Sequence, residues 1–256
     1  MSFAIRNWLP NALKAPLWGN RKRWGLEVNA DDPCWREWQK TYANFYVENQ
    51  RAGVGRKIND AGYQAMSAID LTGKRVLEIG AGDIRHLRYL RGKPSEYVLA
   101  DISPDMNALA QQKLNEQAIV HRSILVQRNQ PLPLAHESID VIVSFYSLEH
   151  LYPLRPYLED MHRVLKPGGI LIGAIPAEGG IAWGGGRTLT SRRWFKRKTQ
   201  INPDKIICWE HPNFADHIII ELDKLFQRKS LFYWPLPLLP LLDINLIIRF
   251  HYQKAE

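Results

Sequence analysis

Two glycines and two carboxylates carry the first chemical signal. In Glu78-Ile79-Gly80-Ala81-Gly82 the glycines close a short apolar run. Without side chains they let the backbone approach a ligand closely. Asp101 closes the next apolar run, 19 residues after Gly82. A carboxylate there can accept hydrogen bonds from a ribose diol. Gly-x-Gly alone does not separate the nucleotide-binding families. A dinucleotide fingerprint wants glycine at position 85, where this chain has Arg85.

A second set of residues could move protons. Glu149-His150 follows a later apolar run, and His211 stands in Trp209-Glu210-His211-Pro212. Imidazole titrates near neutrality and so suits the removal of a proton from an acceptor hydroxyl. The alternative is structural: Leu148 to Leu151 opens a helix with His150 as a hydrogen-bonding side chain, and His211 is a loop residue before a helix.

A third set is cationic. Arg187, Arg192, Arg193, Lys196, Arg197 and Lys198 surround Trp194 and Phe195, with no acidic residue between Glu178 and Asp204. The segment Trp18-Gly19-Asn20-Arg21-Lys22-Arg23-Trp24 repeats the basic-aromatic combination. Solvated loops are one reading. The other is an anionic acceptor or surface, with Arg192 and Arg193 as acceptor contacts. Single-stranded nucleic acid also suits arginine with aromatics, but no RNA-binding module accompanies these segments, so nucleic acid ranks below a small-molecule or glycan acceptor. Cys34 and Cys208 form no Cys-x-x-Cys pair. Neither a disulfide framework nor a metal site is expected, and a reducing cytosol is the simplest compartment.

These residues need elements to hold them. The spacing of Trp35, Trp38, Tyr42, Phe45 and Tyr46 predicts a helix over 33–48 with an aromatic stripe, and a second helix is expected over 56–69. Apolar runs at 75–80, 96–101, 123–127, 139–145 and 170–175 read as strands. A helix over 156–166, with Pro156 in its first turn, precedes the Pro167-Gly168-Gly169 breaker. Strands alternating with helices imply a parallel sheet covered on both faces, an α/β fold. Residues 176–212 interrupt the rhythm as a glycine-rich and then basic insertion. A helix over 213–227, capped by Asn213, and strands at 230–234 and 245–252 complete the chain. Residues 1–54 read as an N-terminal extension or cap, and 55–256 as the main domain.

Composition sets the outer bounds. Of 256 residues, 45% are hydrophobic and 23% charged, which excludes a mostly disordered chain. The net charge of +8 favours anionic partners. Residues 231–250 are apolar enough to suggest a membrane span, but Pro235, Pro237 and Pro240 fall within six positions, so strand, loop and strand is expected.

Four motifs together resemble the class I S-adenosylmethionine (SAM)-dependent methyltransferases, specifically the small-molecule, type 11 group. They are Val76-Leu77-Glu78-Ile79-Gly80-Ala81-Gly82, Ala100-Asp101-Ile102-Ser103, Leu132-Pro133-Leu134 with Ser138-Ile139-Asp140-Val141-Ile142-Val143-Ser144, and Arg163-Val164-Leu165-Lys166-Pro167-Gly168-Gly169. The resemblance covers about residues 71–175. It implies a Rossmann-like seven-stranded methyltransferase sheet with an antiparallel last strand, and SAM as cofactor. Gly80, Ala81 and Gly82 would pass beneath its methionine part, with Glu78 organising that loop. Asp101 would hold the ribose, Ile102 would lie against the adenine, and Ser144 and Phe145 would line the methionyl side. Two positions depart from the family: Ile84 stands where a further glycine is common, and Gln127-Arg128-Asn129-Gln130 replaces the usual adenine-reading residues, leaving Asn129 to bond the adenine.

The family also places an N-terminal segment over the cofactor pocket, which would make Tyr42 and Tyr46 acceptor contacts. The absence of an Asn/Asp-Pro-Pro-Tyr/Phe motif after the fourth strand argues against amino-methylation of DNA, and the lack of Pro-Cys against cytosine C5 methylation. The expectation is a cytoplasmic enzyme, with peripheral contact at the inner membrane surface left open. It would O-methylate a small or sugar-like anionic acceptor, such as a surface-glycan or lipid-linked precursor. The competing expectation is a non-catalytic methyltransferase-like protein that binds a partner or an anionic membrane. A nicotinamide oxidoreductase is disfavoured by Arg85 and by Lys166-Pro167-Gly168-Gly169.

Overall fold

The structure is a computed structural model; it describes the backbone of residues 4–49 and 53–256 and the side chains of residues 4–42 and 55–256. Four helices precede the sheet: α1 (Asn11–Trp18), α2 (Arg21–Trp24), α3 (Pro33–Asn49) and α4 (Gly53–Tyr63). Then follow β1 (Arg75–Ile79), β2 (Glu96–Asp101), α5 (Pro104–Glu116), β3 (His121–Leu125), β4 (Ile139–Phe145), α6 (Leu154–Val164) and β5 (Leu165–Pro176). The chain continues through α7 (Ile181–Leu189), α8 (Ser191–Lys198), α9 (Pro203–Glu210), α10 (Ala215–Leu225), β6 (Gln227–Trp234) and β7 (Ile247–Gln253).

The seven strands form one sheet in the order β3-β2-β1-β4-β5-β7-β6. The first five are parallel, and β7 runs antiparallel to both β5 and β6. This is the Rossmann-like methyltransferase sheet. The order reverses between β1 and β4, the switch point where open α/β sheets bind ligands beyond their carboxyl ends.

Strand alternation divides the core between two faces. Leu77, Ile142 and Leu171 pack with Leu158 and Met161 of α6 and with Ile218 and Leu222 of α10. Val76, Val143 and Ile172 pack on the other face with Tyr63 of α4 and with Ala110 and Leu114 of α5. A third apolar cluster lies apart from the sheet. It joins Trp35 and Trp38 of α3 to Phe195 of α8 and to Ile206, Cys208 and Trp209 of α9. The N-terminal segment and the insertion after β5 therefore share a core.

Three local expectations change. The insertion is helical (α7, α8, α9) rather than a loop. Of its glycine triplet, Gly184 serves helix packing: a Cβ there would lie 2.9 Å from Trp18 Nε1, so only glycine lets α1 approach this closely. Pro167-Gly168-Gly169 follows the end of the helix, as expected, but the strand already begins at Leu165 and not after the tripeptide. It lies within β5 where the pairing with β4 slips, from Ile139 opposite Leu165 to Val141 opposite Ile170. Asn213 does not cap the following helix. Its amide donates to the carbonyls of Leu148 (3.0 Å) and Leu151 (2.6 Å).

Candidate functional site

The glycine loop sits at the end of β1. Gly80 and Gly82 have φ of 67° and 53°, a region side chains seldom occupy. At Gly80 a Cβ would stand 2.5 Å from Ser147 Cβ. Ser147 holds the loop from beneath: its hydroxyl donates to the Ile79 carbonyl (2.8 Å) and lies 2.5 Å from the Ser144 hydroxyl. Ile84 occupies the place of the expected glycine, buried, with φ 39° and ψ 46°. A β-branched residue in that region is strained, and its burial in the sheet core holds it there.

Asp101 is buried at the end of β2. One carboxylate oxygen accepts from the Gly82 amide (3.0 Å) and the other from the Ser103 amide (2.8 Å). It thus ties the glycine loop to the turn after β2. Each oxygen keeps a lone pair for a diol. Glu78 acts below the loop rather than on its amides. It accepts from the Tyr97 hydroxyl (2.8 Å), and His86 Nε2 lies 3.3 Å from it. Burial, reinforced by Glu78, raises the Tyr97 phenol well above its ordinary pKa.

The loop suits the methionine and ribose of SAM. A Cβ on Gly82 would meet only the Gly80 carbonyl oxygen, at 4.0 Å, so the backbone is open to a ligand. Asp101 offers acceptors, and Ile102 is 57% exposed, able to lie against a flat base.

Other expected residues go elsewhere. Ala81 packs into the core below the loop. Ser144 and Phe145 cannot line one pocket, because successive strand residues face opposite sides. Ser144 is fully buried against Ser147. Phe145 turns into the core and stacks on His86, with ring centroids 4.8 Å apart. Asn129 is exposed and turned toward α6: its backbone N–H donates to the Tyr157 hydroxyl (2.9 Å). Arg192 is structural. It pairs with Asp204 (2.6 Å) and donates to the Ala15 carbonyl (3.2 Å), tying α8 to α9 and α1. Arg193 is exposed on the opposite side of α8. Tyr42 packs edge-on against Trp38 (5.3 Å). The side chain of Tyr46 lies outside the described residues.

A polar cluster stands next to the glycine loop, built from the turn after β4 and from the insertion. His150 and His211, far apart in sequence, meet edge to face with centroids 4.7 Å apart. Glu178, just beyond β5, is fully buried. It accepts from Arg187 Nη1 (2.8 Å), Trp183 Nε1 (2.8 Å) and His211 Nδ1 (3.0 Å). Burial alone would raise this carboxyl, but Arg187 and His211 hold it well below the usual range. Nδ1 also lies 3.3 Å from Arg187 Nη2, so this ring nitrogen faces both a carboxylate and a guanidinium. Burial then lowers the ring's pKa to about 4 against the pull of Glu178. At neutral pH His211 is therefore uncharged.

His150 is opposite in state. Burial lowers its pKa, but Glu210 and Glu149 together outweigh this and push it up to about 9. A ring already protonated at neutral pH cannot serve as the base expected of it. Glu210 is held by His150 and by the Trp38 indole. Glu149 is 1% exposed, and its Oε2 has no hydrogen-bond partner among the described residues. Burial raises its carboxyl to about 7, against the counter-pull of His150.

Sequence reasoning found the two histidines but missed Glu149 as a titrating group, along with Ser147, Glu178 and Arg187. Glu178 had left a signal, as the lone acid ahead of a long cationic stretch at a strand's carboxyl end.

Residues 77–173 match the family model of the methyltransferase domain. Among curated proteins, the "Ubiquinone/menaquinone biosynthesis C-methyltransferase UbiE" of Shewanella sp. (strain W3-18-1) is 35% identical over 109 residues, 42% of this chain and 41% of that protein. The chain thus spans about two-fifths of the length of the curated relatives it matches. Among solved structures, N-methyltransferase NodS from Bradyrhizobium japonicum WM9, in complex with S-adenosyl-l-homocysteine, has a TM-score of 0.58 at 16% identity, covering 88% of this chain and all of that one. An S-adenosylmethionine dependent methyltransferase from Mesorhizobium loti has a TM-score of 0.52 at 16% identity, covering 77% of this chain and all of that one. At such identities the likeness is one of fold.

Proposed function

We propose that this chain, whose residues 77–173 match the methyltransferase-domain family model, methylates an oxygen of a small or sugar-like anionic acceptor with SAM as donor. When bound, SAM supplies a methyl group activated on a sulfonium. The protein must then align the acceptor, exclude water and take up the hydroxyl proton. Alignment contributes ~7–11 kcal/mol to such reactions, and a positioned base ~10²–10⁴-fold. One observation carries the reading: the buried Glu149 carboxyl, with a free oxygen and a pKa near 7, two residues past the serine that supports the glycine loop. We assign Glu149 the proton-accepting role and His211, neutral and oriented by Glu178, a hydrogen-bond-accepting role toward the same acceptor. The chain's net charge of +8 favours an acceptor that bears negative charge. A surface-glycan or lipid-linked glycan precursor fits this description.

The first test is thermal unfolding with SAM and with S-adenosylhomocysteine, beside Asp101→Ala. Ligand at 100 times its dissociation constant adds about 2.7 kcal/mol, roughly 5–11 °C for a chain of this size. A shift present in the wild type and lost in the variant supports the cofactor reading. No shift at millimolar ligand, with the protein folded, rejects it. Transfer of labelled methyl to phosphorylated sugars and lipid-linked glycans then tests the acceptor.

A separate observation favours a second reading, contact with an anionic membrane. Leu236, Leu238, Leu239 and Leu241 are exposed in the β6–β7 connection, Leu238 by 93%. Buried Asn245 fixes that connection, accepting from the Leu236 amide (2.8 Å) and donating to the carbonyls of Leu239 (2.8 Å) and Leu241 (2.9 Å). No helix among the described residues is long and apolar enough to cross a membrane. Surface contact would instead use this leucine loop. Flotation with phosphatidylglycerol vesicles, lost in a Leu238→Ser/Leu239→Ser variant, is the expected result; equal recovery of both proteins rejects it.

A further inference from the structure

Between the N-terminal helices α1 and α2 and Phe214 lies a cavity of ≈ 230 Å³. Its wall includes Arg6, Lys14, Trp18, Arg21, Lys22 and Phe214, and no carboxylate lines it. Arg6 is already neutralised by Asp216, at 2.5 Å. The other three cations are not. Arg21 spends its terminal nitrogens on the carbonyls of His211 (2.7 Å) and Pro212, and its guanidinium lies 3.5 Å from the Phe214 ring centroid. Its Nε is buried without a hydrogen-bond partner. Carbonyls orient a guanidinium but do not neutralise it. Burial accordingly lowers the Arg21 pKa to about 10, with Glu178 opposing only from a distance. Lys14 and Lys22 make no ion pair among the described residues. Three amide side chains, Asn7, Asn11 and Asn20, add neutral donors to the same wall.

Arg21 lacks a counter-charge at this small cavity, and half-buried Lys14 and exposed Lys22 add two further cations to its wall. An anion would supply the counter-charge, and arginine with lysine matches the tetrahedral oxygens of phosphate. We propose that this cavity binds a phosphate or pyrophosphate group through Arg21, Lys14 and Lys22. The inference deepens the anionic-acceptor reading, in that Arg21 grips the backbone of His211. A phosphate held here would act on the site through the 211–212 backbone that Arg21 holds. The binding itself does not depend on methyl transfer.

The test is calorimetric titration of the full chain with inorganic pyrophosphate at low salt, without SAM. Saturable binding of about one equivalent is expected. Lys14→Gln/Lys22→Gln, whose side chains make no fold contact noted above, is expected to weaken it roughly tenfold or more. Lys196→Gln/Lys198→Gln on α8 is expected to leave it unchanged. Arg21→Gln should abolish it, with circular dichroism confirming the fold. Absence of binding at 10-fold millimolar excess overturns the proposal, as does equal weakening by the two lysine pairs, which would mean diffuse attraction to a basic surface. A nucleoside diphosphate sugar that binds more tightly than pyrophosphate identifies the anion as part of the acceptor; equal affinity identifies it as a free anion. Retained SAM binding with no anion binding would reject this cavity alone, whereas anion binding without SAM binding would reject the methyltransferase reading alone.

Discussion

Replacing Glu149 by glutamine separates a working carboxyl from a structural one. In the fold the group titrates at about 7, against an ordinary 4.5. The native state therefore holds its proton more tightly than the unfolded chain does, so stability falls as pH rises from 4.5 and levels off above 7. Each pH unit between those values is worth about 1.4 kcal/mol. The ionised carboxylate thus destabilises the fold by about 3 kcal/mol at pH 8. Glutamine has the same shape and no charge, and its buried amide nitrogen, left without an acceptor, offsets roughly 1 kcal/mol. The expected net gain at pH 8 is about 2 kcal/mol, or roughly 4–8 °C in midpoint for a chain of this length. At pH 4.5 the native group is already neutral, and the variant should be no more stable than the wild type. Thermal unfolding by circular dichroism at the two pH values is the assay, and it needs no acceptor. An equal effect at both pH values, or a loss at pH 8, would refute the assignment of a strained, functional carboxyl.

Gly80→Ala brings a Cβ to 2.5 Å from Ser147 in a left-handed conformation; SAM affinity measured by calorimetry should fall at least tenfold, and Ser147→Gly should restore part of it. Ring-nitrogen NMR should find His211 neutral from pH 5 to 8, and His150 protonated until about pH 9. Because the folded pKa of His150 is raised, His150→Gln should lose most stability below pH 6.5, and the loss should fade as pH passes 9. Asn245→Ala removes three hydrogen bonds from the leucine loop; a loss of about 1–3 kcal/mol and faster proteolysis within 236–241 are expected, with SAM binding retained.

The glycine loop and its tie to Asp101 were legible because they are local. A strand, two glycines and a carboxylate at the next strand's end all lie between residues 75 and 101, and strand alternation with glycine punctuation reports them directly. The same locality explains the errors. Ser144 and Phe145 were assigned to one pocket by proximity in sequence, although the pleat sends them to opposite faces. Arg192 was grouped with its basic neighbours, yet on α8 it shares the inward face with Phe195, three residues on, while Arg193, Lys196 and Arg197 point outward. Helical period, applied to the charges rather than to the apolar residues, separates them. Glu178 with Arg187 and His211, and Glu210 with His150, are pairings across a fold that no spacing encodes.

The acceptor half depends on parts of the chain that the family match does not reach. Glu210 and His211 end α9, and α9 is positioned by α3 through Trp35 against Trp209 (6.3 Å) and through Trp38 on Glu210. Glu178, Arg187 and Trp183 follow β5, beyond residue 173. Only Glu149 and His150 lie inside the matched span. Proteins that share the matched sheet can therefore share the cofactor loop and differ entirely in what faces it. The acceptor of a relative that overlaps this chain over 109 residues does not carry over. The aromatic core joining the N-terminal helices to the insertion holds two of the titrating groups in register with the sheet. Substitutions in that core, such as Trp35→Ala, should consequently disturb acceptor use more than SAM binding.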